Sequence, residues 1–226
     1  MRQSKKIKNT SKKRNKNGGY KVVFLDWNGT LSGSKFWGHL EKTDPELFLN
    51  IESVLFGQLR SLIKPWMKGE IESEYVIRMI ADRAKLNYSQ IFDEFIYSCI
   101  NMEYVSNDIP KIVKKLQKKG AKVVVATDNM DSFNRWTLRY MDKCNIFDDV
   151  LNSHYQRGMK KDTDKKGNSI FFSDYIKKNK LKPGESILID DSSDDIEIIE
   201  GFGIKYVHIK PISGTVVALN QILATY

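Results

Sequence analysis

The sequence of 226 residues has few of the residues that bind metals through sulfur or nitrogen. Its two cysteines, Cys99 and Cys144, lie far apart without the spacing of a metal site, and its three histidines are scattered. A disulfide framework is also disfavoured, so both cysteines are interpreted as reduced thiols of a cytoplasmic protein. The composition therefore offers no cluster of Cys or His ligands.

Long apolar runs are missing as well. No stretch of 18 or more apolar residues is present, so we expect no membrane-spanning helix. The N-terminus is basic but lacks the apolar stretch of a secretory signal, which again favours the cytoplasm. A hydrophobic content of 41% is sufficient for one core and a small second module.

The net charge of +9 is concentrated at the N-terminus. Residues 1–20 contain eight of the 37 basic residues and no acidic residue, which leaves 29 basic against 28 acidic residues in the rest. A segment rich in Lys, Asn and Ser buries too little apolar surface to fold, so residues 1–19 are predicted to be a disordered tail. A weak electrostatic attraction to nucleic acid is the alternative.

Apolar runs of strand length recur along the rest of the chain and alternate with helical patterns. The clearest helix lies at residues 109–119, with Pro110 in its first turn and Gly120 just past its end. This alternation predicts an α/β fold with a Rossmann-like parallel sheet and helices on both faces. The predicted strands are residues 20–25, 121–126, 186–189 and 204–209.

The segment between the first two strands has no comparable strand signal. It contains helical patterns at residues 71–84 and 89–101, the second opened by Ser89 as N-cap. About seventy residues are too many for a loop in a compact domain. We therefore predict that residues 35–105 form an all-helical cap, inserted into a core domain that consists of residues 20–34 and 106–226.

Polar residues follow three of the predicted strands. Asp26 follows the first, Thr127 and Asp128 follow the second, and an acidic run at 190–195 follows the third. Ligands of a parallel sheet bind beyond the carboxyl ends of its strands, so these residues should converge. Converging carboxylates repel each other unless a cation lies among them, and hard oxygen ligands suit Mg²⁺.

These motifs resemble those of the haloacid dehalogenase-type hydrolase superfamily, in its phosphoglycolate phosphatase-like branch with a helical cap. The first motif is V-V-F-L-D-W-N-G-T-L around Asp26, and the second is V-V-V-A-T, which ends at Thr127. The last is I-L-I-D-D-S-S-D-D-I, an apolar strand followed by acidic residues. The resemblance extends from about residue 20 to residue 210 and has the cap between the first two motifs.

The resemblance implies a phosphoryl-transfer site with Mg²⁺ as cofactor. Asp26 would be the nucleophile and would form an aspartyl-phosphate. The metal would be held by Asp26, the backbone carbonyl of Asn28 and the carboxylate of Asp191. Asp195 would support the metal shell or its waters, and the Thr127 hydroxyl would bind a phosphoryl oxygen.

The resemblance also implies a lysine that neutralises the nucleophile and the phosphate together. The register of the motif favours Lys161, and the adjacent Lys160 is the alternative. Asp128 is assigned to phosphate binding through its position next to the second motif. Asp190 and Asp194 are interpreted as supporting or capping residues of the acidic run.

Asn28 departs from the family pattern, which has Asp at this position. In the family's phosphatases that Asp protonates the leaving group and then activates water, whereas an amide donates a hydrogen bond without exchanging a proton. General acid–base catalysis is worth about 10² to 10⁴ in rate. Phosphate-ester hydrolysis is still favoured, because carbon–halogen hydrolysis goes with an aromatic residue here and phosphonate cleavage goes with Ala.

Three functions stay open from the sequence. The favoured one is a cytoplasmic Mg²⁺-dependent phosphatase that acts on a small phosphorylated metabolite, with turnover weakened by Asn28 unless Asp131 or a cap residue supplies the proton. The second is a catalytically impaired binding or regulatory protein. The third, a nucleic-acid end phosphatase, is suggested only by the basic tail. Substrate identity and oligomeric state do not follow from the sequence.

Overall fold

A parallel sheet of five strands forms the centre of the protein, whose computed structural model describes residues 19–140 and 146–226. The strands lie in the spatial order β3-β2-β1-β4-β5. They are β1 (Val22–Leu25), β2 (Lys122–Thr127), β3 (Asp149–Asn152), β4 (Ser186–Asp190) and β5 (Ile204–His208). The α/β fold with a Rossmann-like sheet is confirmed. The predicted disordered tail falls almost wholly on residues outside the described ranges, and Cys144 also lies outside them.

Alternating side chains of the central strand β1 supply both faces of the sheet with apolar contacts. Val23 and Leu25 belong to one buried cluster, and Val22 and Phe24 belong to another on the opposite face. A strand that is buried on both faces is apolar throughout, which explains its continuous apolar run. The helices that cover the sheet include α6 (Ile109–Lys118), α7 (Leu138–Tyr140), α8 (Ser153–Gln156), α9 (Ser173–Lys178), α10 (Ile196–Gly201) and α11 (Thr215–Leu223).

The helices between β1 and α6 form a buried cluster of their own, and we call this part of the chain the helical insertion. The cluster includes Trp37, Trp66 and Phe95, which are almost fully buried. The helices are α1 (Leu40–Thr43), α2 (Pro45–Glu52), α3 (Arg60–Met67), α4 (Ser73–Ala84) and α5 (Tyr88–Ile100). The segment that was predicted as a cap thus consists mainly of helices, and its separation as a domain stays a prediction.

The helical insertion contains a π-helical turn, Ser53–Gln58, between α2 and α3. The amide of Leu59 donates to the carbonyl of Val54, five residues earlier, at 2.9 Å. π-Helical turns are rare and are often found at functional sites. A second segment of this type, Phe133–Thr137, follows β2.

The structure differs from the sequence predictions at two places. β3 was not predicted, because only Val150 and Leu151 of its four residues are apolar and it begins with an exposed Asp149 at the edge of the sheet. The helix that was expected to begin at Ser89 has Asn87 as its N-cap, whose side chain accepts a hydrogen bond from the amide of Gln90 at 3.1 Å. Within the described ranges, no helix is long and apolar enough to cross a membrane.

Candidate active site

Asp26 lies immediately after β1, where the strand order reverses. The chain proceeds from β1 to β2 and β3 on one side, and returns to β4 on the other. The amide of Asp26 donates to the carbonyl of Ile189 in β4 at 3.0 Å, which fixes the backbone at this point. Its carboxylate is buried, with 6% of the residue exposed. This position at the carboxyl end of the strands, beside the reversal, is where ligands bind in open α/β sheets.

The lysine that contacts Asp26 is Lys160, so the assignment of Lys161 to this position is wrong. The Lys160 ammonium donates to Asp26 Oδ1 at 2.9 Å and to Asp190 Oδ2 at 2.5 Å, and its side chain is 7% exposed. The ammonium of Lys161 instead lies 2.9 Å from Asp195 Oδ1, with 40% of the side chain exposed. Adjacent residues of this loop point to different sides, and only Lys160 points into the site.

The three carboxylates that come together in this site are those of Asp26, Asp190 and Asp191. Their nearest ligand atoms all lie within 4.8 Å of one another, a separation that fits one bound cation. Asp195 lies outside this group and pairs with Lys161, so its support of the metal shell or its waters stays a prediction. Asp190, to which the sequence assigned only a supporting or capping role, is one of the three and also accepts a hydrogen bond from the Lys160 ammonium.

The electrostatics of the site also favour a cation. Burial raises the pKa of Asp26 to about 7, the Lys160 ammonium opposes this rise, and the Asp190 carboxylate adds to it. Burial likewise raises the pKa values of Asp128 and Asp191, with Asp190 contributing to both. Burial alone would lower the pKa of Lys160, but the Asp26 and Asp190 carboxylates hold it well above its usual range. Four carboxylates around one ammonium form an arrangement that Mg²⁺ would stabilise, and their oxygen ligands suit this ion.

Gly29 allows Asp191 to approach the loop after β1. Its φ of +75° lies in the left-handed region, which favours glycine. A Cβ atom at this position would lie 2.2 Å from Asp191 Oδ2, which is far inside van der Waals contact. Thr30 then donates to Asp191 Oδ1 at 3.3 Å. The Gly-Thr pair after the strand therefore positions a carboxylate of the cluster.

The end of β2 supplies the polar groups opposite the acidic cluster. The Thr127 hydroxyl is buried and has no hydrogen-bond partner within the described part of the chain. Because a buried hydroxyl without a partner is costly, this group is suited to bind a ligand oxygen. The carboxylate of Asp128 accepts a hydrogen bond from the backbone amide of Lys160 at 2.9 Å. Asp128 thus fixes the loop that carries the lysine, a role that the sequence did not predict.

Asn28 has a defined orientation at the mouth of the site. Asn129 donates from Nδ2 to Asn28 Oδ1 at 2.9 Å, and Oδ1 of Asn129 in turn accepts from the amide of Met130 at 2.9 Å. Because its oxygen faces Asn129, Asn28 directs its NH₂ group elsewhere. Asn28 is exposed and lines the cavity in front of the site. It can donate a hydrogen bond there, but it cannot donate a proton.

Asp131, a candidate substitute for the missing proton donor, is engaged elsewhere. Its carboxylate accepts hydrogen bonds from the Trp66 indole at 2.9 Å, the Ser73 hydroxyl at 2.6 Å and the Arg135 guanidinium at 2.7 Å. Burial favours a higher pKa, but these hydrogen bonds outweigh it and hold the pKa of Asp131 below its usual value. Three donors already occupy this carboxylate, so it is not available to a leaving group in the site. The side chain instead joins the segment after β2 to the helical insertion.

A cavity of about 370 Å³ opens between the site and the helical insertion. Its base is formed by Asn28, Asp128 and Asn129, which lie at the ends of β1 and β2. Its walls come from residues 34–37 and from α2, the π-helical turn and α3 of the insertion, with Met130 beside them. Asn28 lies two residues after Asp26 and Asp128 directly follows Thr127, so the cavity adjoins the acidic site.

Comparison with known proteins identifies the family. Residues 59–209, two thirds of the chain, match the family described as haloacid dehalogenase-like hydrolase. The chain belongs to this family. The match begins after Asp26, so the identification rests on the region that contains Thr127, Lys160 and the acidic run. No curated protein matches the sequence.

Solved structures of haloacid dehalogenase-like (HAD) proteins share this fold. A HAD family enzyme from Bacteroides thetaiotaomicron has a TM-score of 0.65 at 19% identity, over 85% of this chain and 95% of that chain. The wild-type form of that protein in complex with magnesium and inorganic phosphate has a TM-score of 0.61 at 15% identity, over 85% and 96%. An L-2-haloacid dehalogenase from Xanthobacter autotrophicus with chloropropionic acid covalently bound has a TM-score of 0.60 at 14% identity, over 84% and 77%. At these identities the likeness establishes the fold alone.

Proposed function

We propose that this HAD-like hydrolase is a Mg²⁺-dependent phosphatase that acts on a small phosphorylated metabolite through an aspartyl-phosphate on Asp26. The observation that carries this proposal is the arrangement of Asp26 beside Lys160, two further carboxylates and the free hydroxyl of Thr127. A dehalogenase of the same fold is the competing chemistry. The group of three carboxylates favours phosphoryl transfer, because it needs a cation that a phosphate can share.

In the proposed reaction, a carboxylate oxygen of Asp26 attacks phosphorus and the ester oxygen leaves. Lys160 neutralises charge on Asp26 and on the phosphate, acting from 2.9 Å. The Thr127 hydroxyl, for which the described residues offer no hydrogen-bond partner, donates to a phosphoryl oxygen. Magnesium, bound by Asp26, Asp191 and the backbone carbonyl of Asn28, would offset the repulsion between nucleophile and phosphate. Water then cleaves the aspartyl-phosphate and releases inorganic phosphate.

The proposal is tested by phosphate release from p-nitrophenyl phosphate and acetyl phosphate in the presence of Mg²⁺. Wild-type protein should release phosphate, and Asp26→Asn should reduce the rate to background. Asp174→Asn, a change at an exposed carboxylate on α9, controls for loss of one negative charge. Equal rates for wild type and Asp26→Asn would refute the catalytic proposal.

Asn28 favours one alternative, a binding or regulatory protein that retains the site without turnover. This alternative predicts that neither acyl phosphates nor beryllofluoride modify Asp26. A covalent or tightly bound adduct on Asp26 would exclude it. A role in processing nucleic-acid ends has no support beyond the basic tail, which lies outside the described residues.

A further inference from the structure

The cavity in front of Asp26 has apolar walls, which is unusual for a site that would bind a sugar phosphate. Hydrophilic leaving groups need several hydrogen-bond partners, because a buried polar group without a partner is costly. The cavity wall instead presents mostly aliphatic and aromatic side chains. These are Phe36, Ile51, Leu55, Phe56, Ile63 and Met130.

The polar residues of the wall are already engaged or have the wrong charge. The Ser34 hydroxyl accepts a hydrogen bond from the amide of Glu103 at 3.1 Å, and the Lys35 ammonium donates to Glu41 at 2.7 Å. Glu52 is an anion and would repel a carboxylate or a second phosphate. Among the described residues that line the cavity, Lys35 is the only cationic side chain. The wall therefore disfavours a leaving group with charge or many hydroxyls.

The volume of the cavity is sufficient for an aromatic ring of a ligand. A cavity of about 150 Å³ lined by apolar side chains is large enough to bind benzene. The volume of about 370 Å³ therefore accommodates an aromatic ring and leaves room for the phosphate at the base. The π-helical turn places Leu55 and Phe56 in this wall, and Phe56 is 52% exposed. Its ring is thus available to pack against a ligand.

Asn28 leads independently to the same class of leaving group. Without a proton donor at this position, the departing oxygen must carry its negative charge unaided. A phenol has a pKa of about 10, as Tyr shows, so a phenolate leaves readily. Aliphatic alcohols resemble water, whose pKa is about 15.7, and they leave poorly without a proton. The apolar cavity and the amide therefore favour the same substrates.

Resting on the proposed phosphatase function, we infer that the substrate is an aryl phosphate, a phosphate monoester of an apolar aromatic alcohol. Asp26 forms a bond to phosphorus, and the bond between phosphorus and the aryl oxygen breaks. The electron pair leaves with the phenolate, which takes a proton from solvent. Water then attacks the aspartyl-phosphate, Asp26 is regenerated and the proton of water is released. The net change is hydrolysis to a phenol and inorganic phosphate.

Binding of non-hydrolysable phosphonates tests the inference without turnover. Calorimetry with Mg²⁺ present would compare phenylphosphonate with methylphosphonate on the full chain. We expect phenylphosphonate to bind about 10- to 100-fold more tightly, the factor that corresponds to burial of one aromatic side chain. Equal affinities for the two phosphonates would overturn the inference.

Two matched variants test where the phenyl ring of the ligand binds. Phe56→Ala should reduce the preference for phenylphosphonate by about two- to tenfold, the value of one aromatic pair. Leu49→Ala, at a 64% exposed position of α2 outside the cavity lining, should leave the preference unchanged. Both positions are exposed enough that neither truncation empties the core. An unchanged preference in Phe56→Ala would overturn the assignment of the ring to this cavity.

Turnover separates the failure of this inference from the failure of the proposed function. Hydrolysis of acetyl phosphate without any preference for phenylphosphonate would refute the aryl substrate and leave the phosphatase proposal intact. Absence of phosphate release from every substrate would refute the phosphatase proposal, and the aryl substrate with it. Release from phenyl phosphate with a higher kcat/KM than from glycerol phosphate would support both.

Discussion

Replacing Asn28 by Asp should convert this site into a faster phosphatase. Asn and Asp have the same shape, so one carboxylate oxygen can keep the 2.9 Å hydrogen bond from Asn129 Nδ2. The other oxygen would take the place of the NH₂ group. Asn28 is exposed, so the new carboxylate loses little hydration. The variant would thus hold a proton donor and acceptor at the mouth of the site without repacking.

The size of this gain follows from the chemistry that the amide lacks. General acid–base catalysis contributes about 10² to 10⁴ in rate. This range corresponds to about 2.7 to 5.4 kcal/mol of activation barrier. Part of this gain in rate is lost, because a further negative charge enters a site that is already acidic. An increase in kcat of at least tenfold is therefore the conservative expectation.

The assay is steady-state phosphate release from glycerol phosphate with Mg²⁺, for wild type and Asn28→Asp, because an alkoxide leaving group gains more from a proton donor than a phenolate does. Asn220→Asp serves as control, since it makes the same change at an exposed position of α11, outside the cavity lining. The control should match wild type. A kcat for Asn28→Asp equal to that of the control would show that the missing acid does not limit turnover, and the reasoning about this position would be refuted.

Four further variants test the geometry around the site. Lys160→Met should lower kcat by about 10²-fold or more, whereas Lys161→Met should change it little, because a partly exposed ion pair contributes about 0–1 kcal/mol. Gly29→Ala should destabilise the fold by at least about 1–2 kcal/mol, measured by urea unfolding, because its φ is positive. Asp131→Asn should cost about 1.5–3 kcal/mol at neutral pH. Because the folded pKa of Asp131 is lowered, that cost should be present above about pH 4 and shrink as pH falls further.

Each of these predictions has a result that would contradict it. Equal losses in the two lysine variants would mean that Lys160 has no special role. Wild-type stability of Gly29→Ala would show that the loop can relax. A cost for Asp131→Asn that grows as the pH is lowered would have the wrong sign for a carboxylate whose folded pKa is depressed.

Much of the fold could be predicted from the sequence, because the parallel strands are buried on both faces. Continuous apolar runs lie in β1, β2 and β4, and β5 was predicted as the segment 204–209; each of these four strands was found within two residues of its observed ends. β3 lacks this signal, since only Leu151 and Asn152 of its four residues are buried. An edge strand of this kind is stabilised by pairing with β2, which no local pattern reveals.

The site could be predicted only in part, for a related reason. Residues placed directly by a strand end, such as Asp26 and Thr127, were found because the strand itself was recognised. The lysine was not resolved, because its loop has no periodicity and its register is set by a hydrogen bond to Asp128, 32 residues away in sequence. The role of Asp190 was missed for the same reason, because its carboxylate contacts that lysine. The cavity wall was not predicted, since apolar side chains of a helix can equally pack into its core.

Mass spectrometry of the protein quenched during reaction with acetyl phosphate and Mg²⁺ tests the central claim most directly. The account predicts a phosphoryl group on the peptide that contains Asp26, and its absence from Asp26→Asn. A phosphoryl group on another residue, or none while phosphate is being released, would contradict the claim that Asp26 is the nucleophile.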